Sequence, residues 1–93
     1  MNLVGKYIEI NLKNYEQVIN FLYRKGCIYG GPHDNINSAK YYIHLFIESS
    51  DNLYYIKIIS DNFFASIYRV DKSRNIIDGN ILIREYKLKR ILK

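Results

Sequence analysis

From Leu3 to Leu12 apolar and polar residues alternate. Val4, Ile8, Ile10 and Leu12 fall on one side and Tyr7 and Glu9 on the other, which predicts a half-buried strand, with Lys6 the exception. The period then changes. Tyr15, Val18, Ile19, Leu22 and Tyr23 recur at the spacing of one helical stripe, so this segment predicts an amphipathic helix. Asn14 is placed to cap it, and Gln17 three residues on can return a bond to the Asn14 backbone. Arg24 and Lys25 suit the negative end of the helix dipole, and Gly26 supplies a left-handed stop.

A short apolar stretch, Cys27 to Tyr29, leads into Gly30-Gly31-Pro32, and turn formers dominate as far as Ser38, predicting the longest loop. Between Lys40 and Glu48 both alternating sets are largely apolar: Tyr41, Ile43, Leu45 and Ile47 against Tyr42, His44, Phe46 and Glu48. Such a segment predicts a central strand, covered on one face and partly on the other. After a turn over Ser49 to Asn52, Leu53–Ser60 and Phe63–Val70 read as two further strands joined tightly at Asp61-Asn62. Asp71 to Asn75 and Asp78-Gly79 read as turns, with Ile76-Ile77 between them too short to classify. Ile81 to Lys93 scatters its apolar residues around a helix axis, whereas a strand gathers Leu82, Tyr86, Leu88 and Leu92 on one face, so a fraying strand is preferred. The expectation is one α+β domain over residues 1–93: a single amphipathic helix packed on a mostly antiparallel sheet of four to six strands, in the order β-α-(β)-β-β-β-β.

Composition changes this picture in two ways. Ile (16), Asn (10), Tyr (10) and Lys (9) make up nearly half of the 93 residues, and all four have codons rich in A and T. Codon usage and strand propensity therefore account for much of the tyrosine load, which would otherwise look like a stacking surface. The charge is also uneven. Of the net +5, residues 84–93 hold +4, with Arg84, Lys87, Lys89, Arg90 and Lys93 against Glu85, and the preceding 83 residues hold +1. A basic end of this kind suits nucleic acid or an acidic protein patch and argues against an acidic mimic of DNA. One cysteine precludes an internal disulfide framework. Together with the absence of a charged-then-apolar leader at Met1 and of a long apolar run, it predicts a cytoplasmic protein without a membrane partner.

Chemistry-bearing constellations are sparse. Gly26, Gly30 and Gly31 do not match a phosphate-cradling spacing, so no nucleotide cofactor is expected. Cys27, His33, Asp34 and His44 lack the recurrent spacing of a zinc site, and no metal is expected either. His44, between Ile43 and Leu45, and Cys27, after a helix stop, read as packing residues. Cys27-Ile28-Tyr29 followed by Tyr42-Ile43-His44 resembles the paired tripeptides of GIY-YIG endonucleases, which use their tyrosines beside a helical Arg and a distant metal-binding Glu. The second tripeptide lacks its glycine, and the residues after it read as strands where the Arg-bearing helix belongs, so that reading is set aside. No nucleophile-base group assembles from two histidines and one cysteine, and the carboxylates lie in turn contexts; the expectation is a protein without catalytic residues.

What remains is binding. Tyr42, His44 and Phe46 form an aromatic row able to stack bases or to anchor a protein or a second copy of the chain, and the basic segment can hold phosphates. Tyr15 to Tyr29, read as Tyr-x-x-Val-Ile-x-Phe-Leu-x-x-x-Gly-Cys-Ile-Tyr, resembles short phage-encoded proteins in which a strand and a helix ending in Gly, then an aromatic, precede a small sheet. The resemblance implies an accessory protein of a phage or mobile element, of the sort that inhibits host machinery such as CRISPR or other defence nucleases. No residue role is carried over, because that class shares no functional motif. Expected partner-binding residues are Lys87, Lys89, Arg90, Lys93, Tyr42 and Phe46, and the expected partner is a host protein or ribonucleoprotein. Alternatives are a module that binds RNA or DNA directly, through the basic segment and the strand aromatics, and an accessory homodimer.

Overall fold

The computed structural model describes residues 3–70 and 75–92, with side chains for residues 3–66 and 75–85. It is an α+β fold whose core is a five-stranded mixed sheet packed against helices. The elements are β1 (Tyr7–Glu9), α1 (Tyr15–Arg24), β2 (Cys27–Tyr29), a 3₁₀ turn (Ile36–Tyr41), β3 (His44–Ser50), β4 (Leu53–Ile59), α2 (Asp61–Val70), β5 (Ile76–Asp78) and α3 (Gly79–Leu92). The spatial strand order is β2-β4-β3-β1-β5. β3 pairs antiparallel with β1 and β4, while the two short edge strands join in parallel, β2 to β4 and β5 to β1.

The strand expected over Lys40–Glu48 starts only at His44, Lys40 and Tyr41 belonging to the 3₁₀ turn; from there its double apolar set is explained by position, since β3 is the middle strand. Its odd residues Leu45 and Ile47 are fully buried with Ile8, Ile56 and Ile58 beneath α1 and α3. Its even residues His44 and Phe46 face the other side with Tyr7. The β3–β4 hairpin closes on Asp51-Asn52, both with positive φ (53° and 66°), the backbone of a two-residue turn whose twist matches the strands.

In α1, Val18, Ile19, Phe21 and Leu22 are buried, while Tyr23 at the end of the predicted stripe is exposed. The cap sits three residues earlier than expected. Asn11 accepts from the Lys13 and Asn14 amides at 2.8 and 2.9 Å, and its own amide donates to the Asn14 Oδ1 at 2.8 Å, a reciprocal capping box built of two asparagines. Asn14, freed from capping α1, is buried and donates to Asn80 Oδ1 at 2.8 Å, which ties the start of α1 to the start of α3. Gly26 is left-handed at φ 93°, as the helix stop requires.

Three assignments are corrected. The first strand is shorter than Leu3–Leu12: Gly5 turns at φ 79°, Leu12 is exposed, and only Tyr7–Glu9 are strand, although the Gly5 and Ile10 amides also donate to β3 and its lead-in at 2.8 and 2.7 Å. Phe63–Val70 is the body of a helix rather than a strand, because Ser60 Oγ accepts from the Phe63 amide at 3.3 Å and starts α2 where a hairpin turn was expected. The Ile81–Lys93 strand is α3, capped by Asp78 Oδ1, which accepts from the Asn80 amide at 2.8 Å. Leu82 and Ile83, adjacent in sequence, are both buried, which a strand cannot do against one core. Ile76-Ile77, too short to classify from the sequence, belong to edge strand β5.

Candidate functional site

The two faces of the sheet are finished differently. One is sealed by α1, α3 and the 3₁₀ turn. On the other, α2 lies over the β1–β3 side, where the Phe64 ring stacks on His44 (centroids 3.7 Å apart, planes 13° apart) and meets Tyr7 edge-on at 5.2 Å. Tyr7 in turn packs on Phe46 at 4.8 Å. Beyond Phe46 a groove of about 570 Å³ opens over β3 and β4.

Aromatic rings and the loop after β2 make its walls. Pro32 and His33 come from that loop, with the His33 ring 5.0 Å from Tyr42; Phe46 supplies the floor and Phe63, 56% exposed, the α2 rim. Glu48 and Lys57 stand at the far end. The hairpin register places Phe46 opposite Lys57 and Glu48 opposite Tyr55, so the two charged residues share this face diagonally. Lys57 Nζ donates to the Gly30 carbonyl at 2.8 Å and lies 3.9 Å from Glu48 Oε2, a separation too long for a hydrogen bond. Gly30 itself is held tight: a Cβ there would stand 3.0 Å from Tyr55 Cβ and 3.1 Å from Lys57 Cε.

His44 is buried under Phe64, and its Nδ1 has no hydrogen-bond partner. Burial pulls its pKa below the ordinary histidine value, with the Glu9 and Asp61 charges opposing. On the sealed face burial raises the Cys27 thiol, and it raises the Tyr29 phenol against the opposing effect of the nearby His33 backbone amide. Among the described residues no three of His, Cys, Asp and Glu are grouped to hold a metal ion, and no helix is long and apolar enough to cross a membrane. A smaller hollow of about 250 Å³ between α1 and the 3₁₀ turn, bordered by Glu16, Asn20, Tyr23 and Asn37, has one aromatic wall and less than half the volume of the groove.

Of the residues expected to bind a partner, Tyr42 and Phe46 come together in the groove. His44, the middle of the proposed aromatic row, does not join them, because α2 covers it. Lys87, Lys89 and Arg90 lie on the α3 backbone, but their side chains, and Lys93 entirely, are outside the described residues. Successive helical positions turn by about 100°, so positions 87 and 89 do not share the face that a strand would give them. Tyr29 and Tyr42, the tyrosines of the nuclease-like tripeptides, part company: Tyr29 pairs with Ile56 on the sealed face, and Tyr42 lines the groove. His33, Glu48, Lys57 and Phe63 were missed. The signal for Glu48 and Lys57 was the Asp51-Asn52 turn, which fixes the hairpin register; for Phe63 it was Ser60, read as a strand end and not as a cap.

Comparison of the chain with protein-family models, curated proteins and solved structures returns no match in any of the three. The groove's chemistry is therefore the ground for a functional reading. It offers flat apolar surface, one half-exposed carboxylate and one tethered ammonium.

Proposed function

We propose that this is a small non-enzymatic binding protein, acting in a host cytoplasm, that seats a protein partner in the aromatic groove and thereby blocks a host protein or ribonucleoprotein. The resemblance of Tyr15 to Tyr29 to short phage-encoded proteins favours an anti-CRISPR or other anti-defence inhibitor. One observation carries the reading: among the described residues α2 covers only part of its sheet face and leaves Tyr42, Phe46 and Phe63 around an open groove. Partly exposed aromatics lining a concavity are the kind of anchors that dominate protein interfaces.

Direct binding of RNA or DNA is the second reading, and the +4 charge of residues 84–93 favours it. The groove itself does not, since bases stacked there would need cations for their phosphates. Lys57 is already engaged by Gly30 and sits beside Glu48.

The test is phage plating on cells that carry a CRISPR or restriction nuclease. Expression of the wild-type chain is expected to restore plating, and Phe63→Asp, at an exposed position, is expected to abolish the effect while the protein remains folded. No protection against any nuclease of the panel would reject the inhibitor reading. Salt-dependent binding of bare oligonucleotide, equal for wild type and Phe63→Asp, would replace it with the second.

A further inference from the structure

Among the described residues the charges on the strands of this sheet face are mainly acidic, whereas the chain as a whole is basic. The chain is +5, yet the strands of this sheet face carry Glu9, Glu48 and Asp78 against Lys57, and α2 begins with Asp61 close enough to act on His44. The aromatic walls add to this, because ring faces are electron-rich and attract cations placed over them. Glu48 is 49% exposed and pairs with Lys57 at 3.9 Å, too far for a hydrogen bond. Lys57 holds it only loosely, because its ammonium donates to the Gly30 carbonyl at 2.8 Å.

We propose that the groove receives an arginine side chain of a protein partner, its guanidinium stacked among Tyr42, Phe46 and Phe63 and its fork directed at the Glu48 carboxylate. This rests on the groove being the partner site. A guanidinium suits the walls better than an ammonium does, since it is planar, weakly hydrated and able to stack while donating two parallel hydrogen bonds to a carboxylate. The volume of about 570 Å³ falls within the roughly 300–1,000 Å³ of ligand clefts, which leaves room for the peptide flanking the arginine. Proteins that handle nucleic acid present arginines in quantity, so an inhibitor of a nucleoprotein with this groove would engage the surface its target uses for RNA or DNA.

Lys57 makes the proposal specific. If an arginine competes with it for Glu48, removing the lysine charge strengthens binding, whereas a phosphate would bind less well; an apolar anchor is told apart by binding citrulline equally.

The experiment is an NMR titration of the labelled full chain with N-acetylarginine methylamide, its citrulline counterpart and adenosine monophosphate. The arginine probe is expected to shift the Tyr42, Phe46 and Phe63 ring signals, with citrulline weaker by about threefold or more. Glu48→Gln is expected to weaken the arginine probe by a similar factor and Lys57→Met to tighten it, each variant first checked by thermal melting. Should Lys57→Met fail to fold, Glu48→Gln and the citrulline comparison decide. Equal binding of citrulline, tightening by Glu48→Gln, or ring shifts with the nucleotide alone would overturn the assignment. If the arginine probe fails while Phe63→Asp still abolishes protection, only the arginine falls and the groove stays the partner site. If the probe binds while Phe63→Asp still protects, the arginine site stands and the inhibitor reading loses its groove.

Discussion

The two faces of the sheet bury side chains by different means. The sealed face is mainly aliphatic: Ile8, Leu45, Ile47 and Ile56 are fully buried with Val18 and Leu22 of α1, Leu82 and Ile83 of α3 close the layer, and the aromatics Phe21, Tyr15, Tyr29 and Tyr54 sit around its margin. The other face is aromatic and mixed with polar groups, with Tyr7, His44, Phe46 and Phe64 in ring contact and Glu48 and Lys57 beyond them. Interlocking aliphatics give density and leave nothing exposed for recognition. Flat rings with polar neighbours give stability on their covered side and chemistry on their open one. The same central strand thus buries its odd residues in one layer and, of its even ones, leaves Phe46 and Glu48 at the groove.

This contrast predicts unequal costs for truncation. Leu22→Ala, at the fully buried centre of α1, is expected to lower stability by about 2–5 kcal/mol, because the sealed layer cannot collapse around the void. Phe64→Ala is expected to cost less, about 1.5–3 kcal/mol, although the side chain is larger. Phe64 keeps 9% of its surface open to solvent, so water reaches the space it leaves and the transfer term is lost without a trapped cavity. Urea unfolding with both variants at constant m-value checks the order; an equal or greater loss for Phe64→Ala would mean that the two faces are one core.

The junction between the layers gives the next effect. A Cβ on Gly79 would stand 2.6 Å from the Glu9 carbonyl oxygen and 3.0 Å from Val18. Neither a backbone oxygen nor a buried β-branched side chain yields easily, so Gly79→Ala is expected to destabilise by about 1–3 kcal/mol. The Asn14–Asn80 hydrogen bond holds the same junction. Gly26→Ala is the control: Gly26 has φ 93° and open space around it, so only backbone strain is at stake.

How far the fold was legible depends on what each short polar residue does. Asp51-Asn52, Ser60-Asp61 and Asp78-Gly79 all look like turn signals, and Asx and Ser side chains do bond to nearby backbone amides in turns. Only the first closes a hairpin; Ser60 and Asp78 use the same local hydrogen bond to start helices. The cap and the turn share their chemistry, and the residues downstream decide between them. After Asn52 comes a clear alternation; after Ser60 and Asp78 come segments whose apolar residues fit either period. α1 and β3 were legible because their burial is set by one strong pattern each. The groove was half legible. Tyr42 and Phe46 fall on one parity of the β3 segment, but Phe63 required knowing that α2 is a helix and stops short of covering the face.

His44 sharpens the contrast by titration. It is the buried ionisable group where the covered part of the aromatic face meets β3, and burial lowers its pKa from the ordinary 6.5. A base whose folded pKa is lowered binds fewer protons folded than unfolded wherever the pH lies near or between the two values. Its contribution is therefore intact above about pH 6.5 and lost as the pH falls from there toward the folded pKa. Glu9 and Asp61 reduce the effect without reversing it. Stability measured between about pH 7.5 and 5 is expected to decline for wild type and to flatten over this window for His44→Phe, which keeps a ring on Phe64. An identical slope in both proteins would mean that His44 is hydrated and that α2 does not seal it.

The smallest expected change in stability belongs to Phe63, and it tests the open side most directly. Phe63 and Phe64 are neighbours of one type on one helix, 56% and 9% exposed respectively. Phe64 rests on His44 and Tyr7, whereas Phe63 lines the groove and touches solvent with most of its ring. A monomer gains little from holding an aromatic ring in water, so Phe63→Ala is expected to change stability by no more than about 0.5 kcal/mol. Its effect should appear instead in association: truncating an anchor at a groove rim typically removes more than about 1 kcal/mol of binding free energy, about a fivefold or greater loss of affinity. Urea unfolding and partner titration of the one variant give both numbers. A large stability loss would show that α2 closes over the groove and that the second face is core throughout. Unchanged stability with unchanged association would leave Phe63 an ordinary surface residue and move the partner site away from this face.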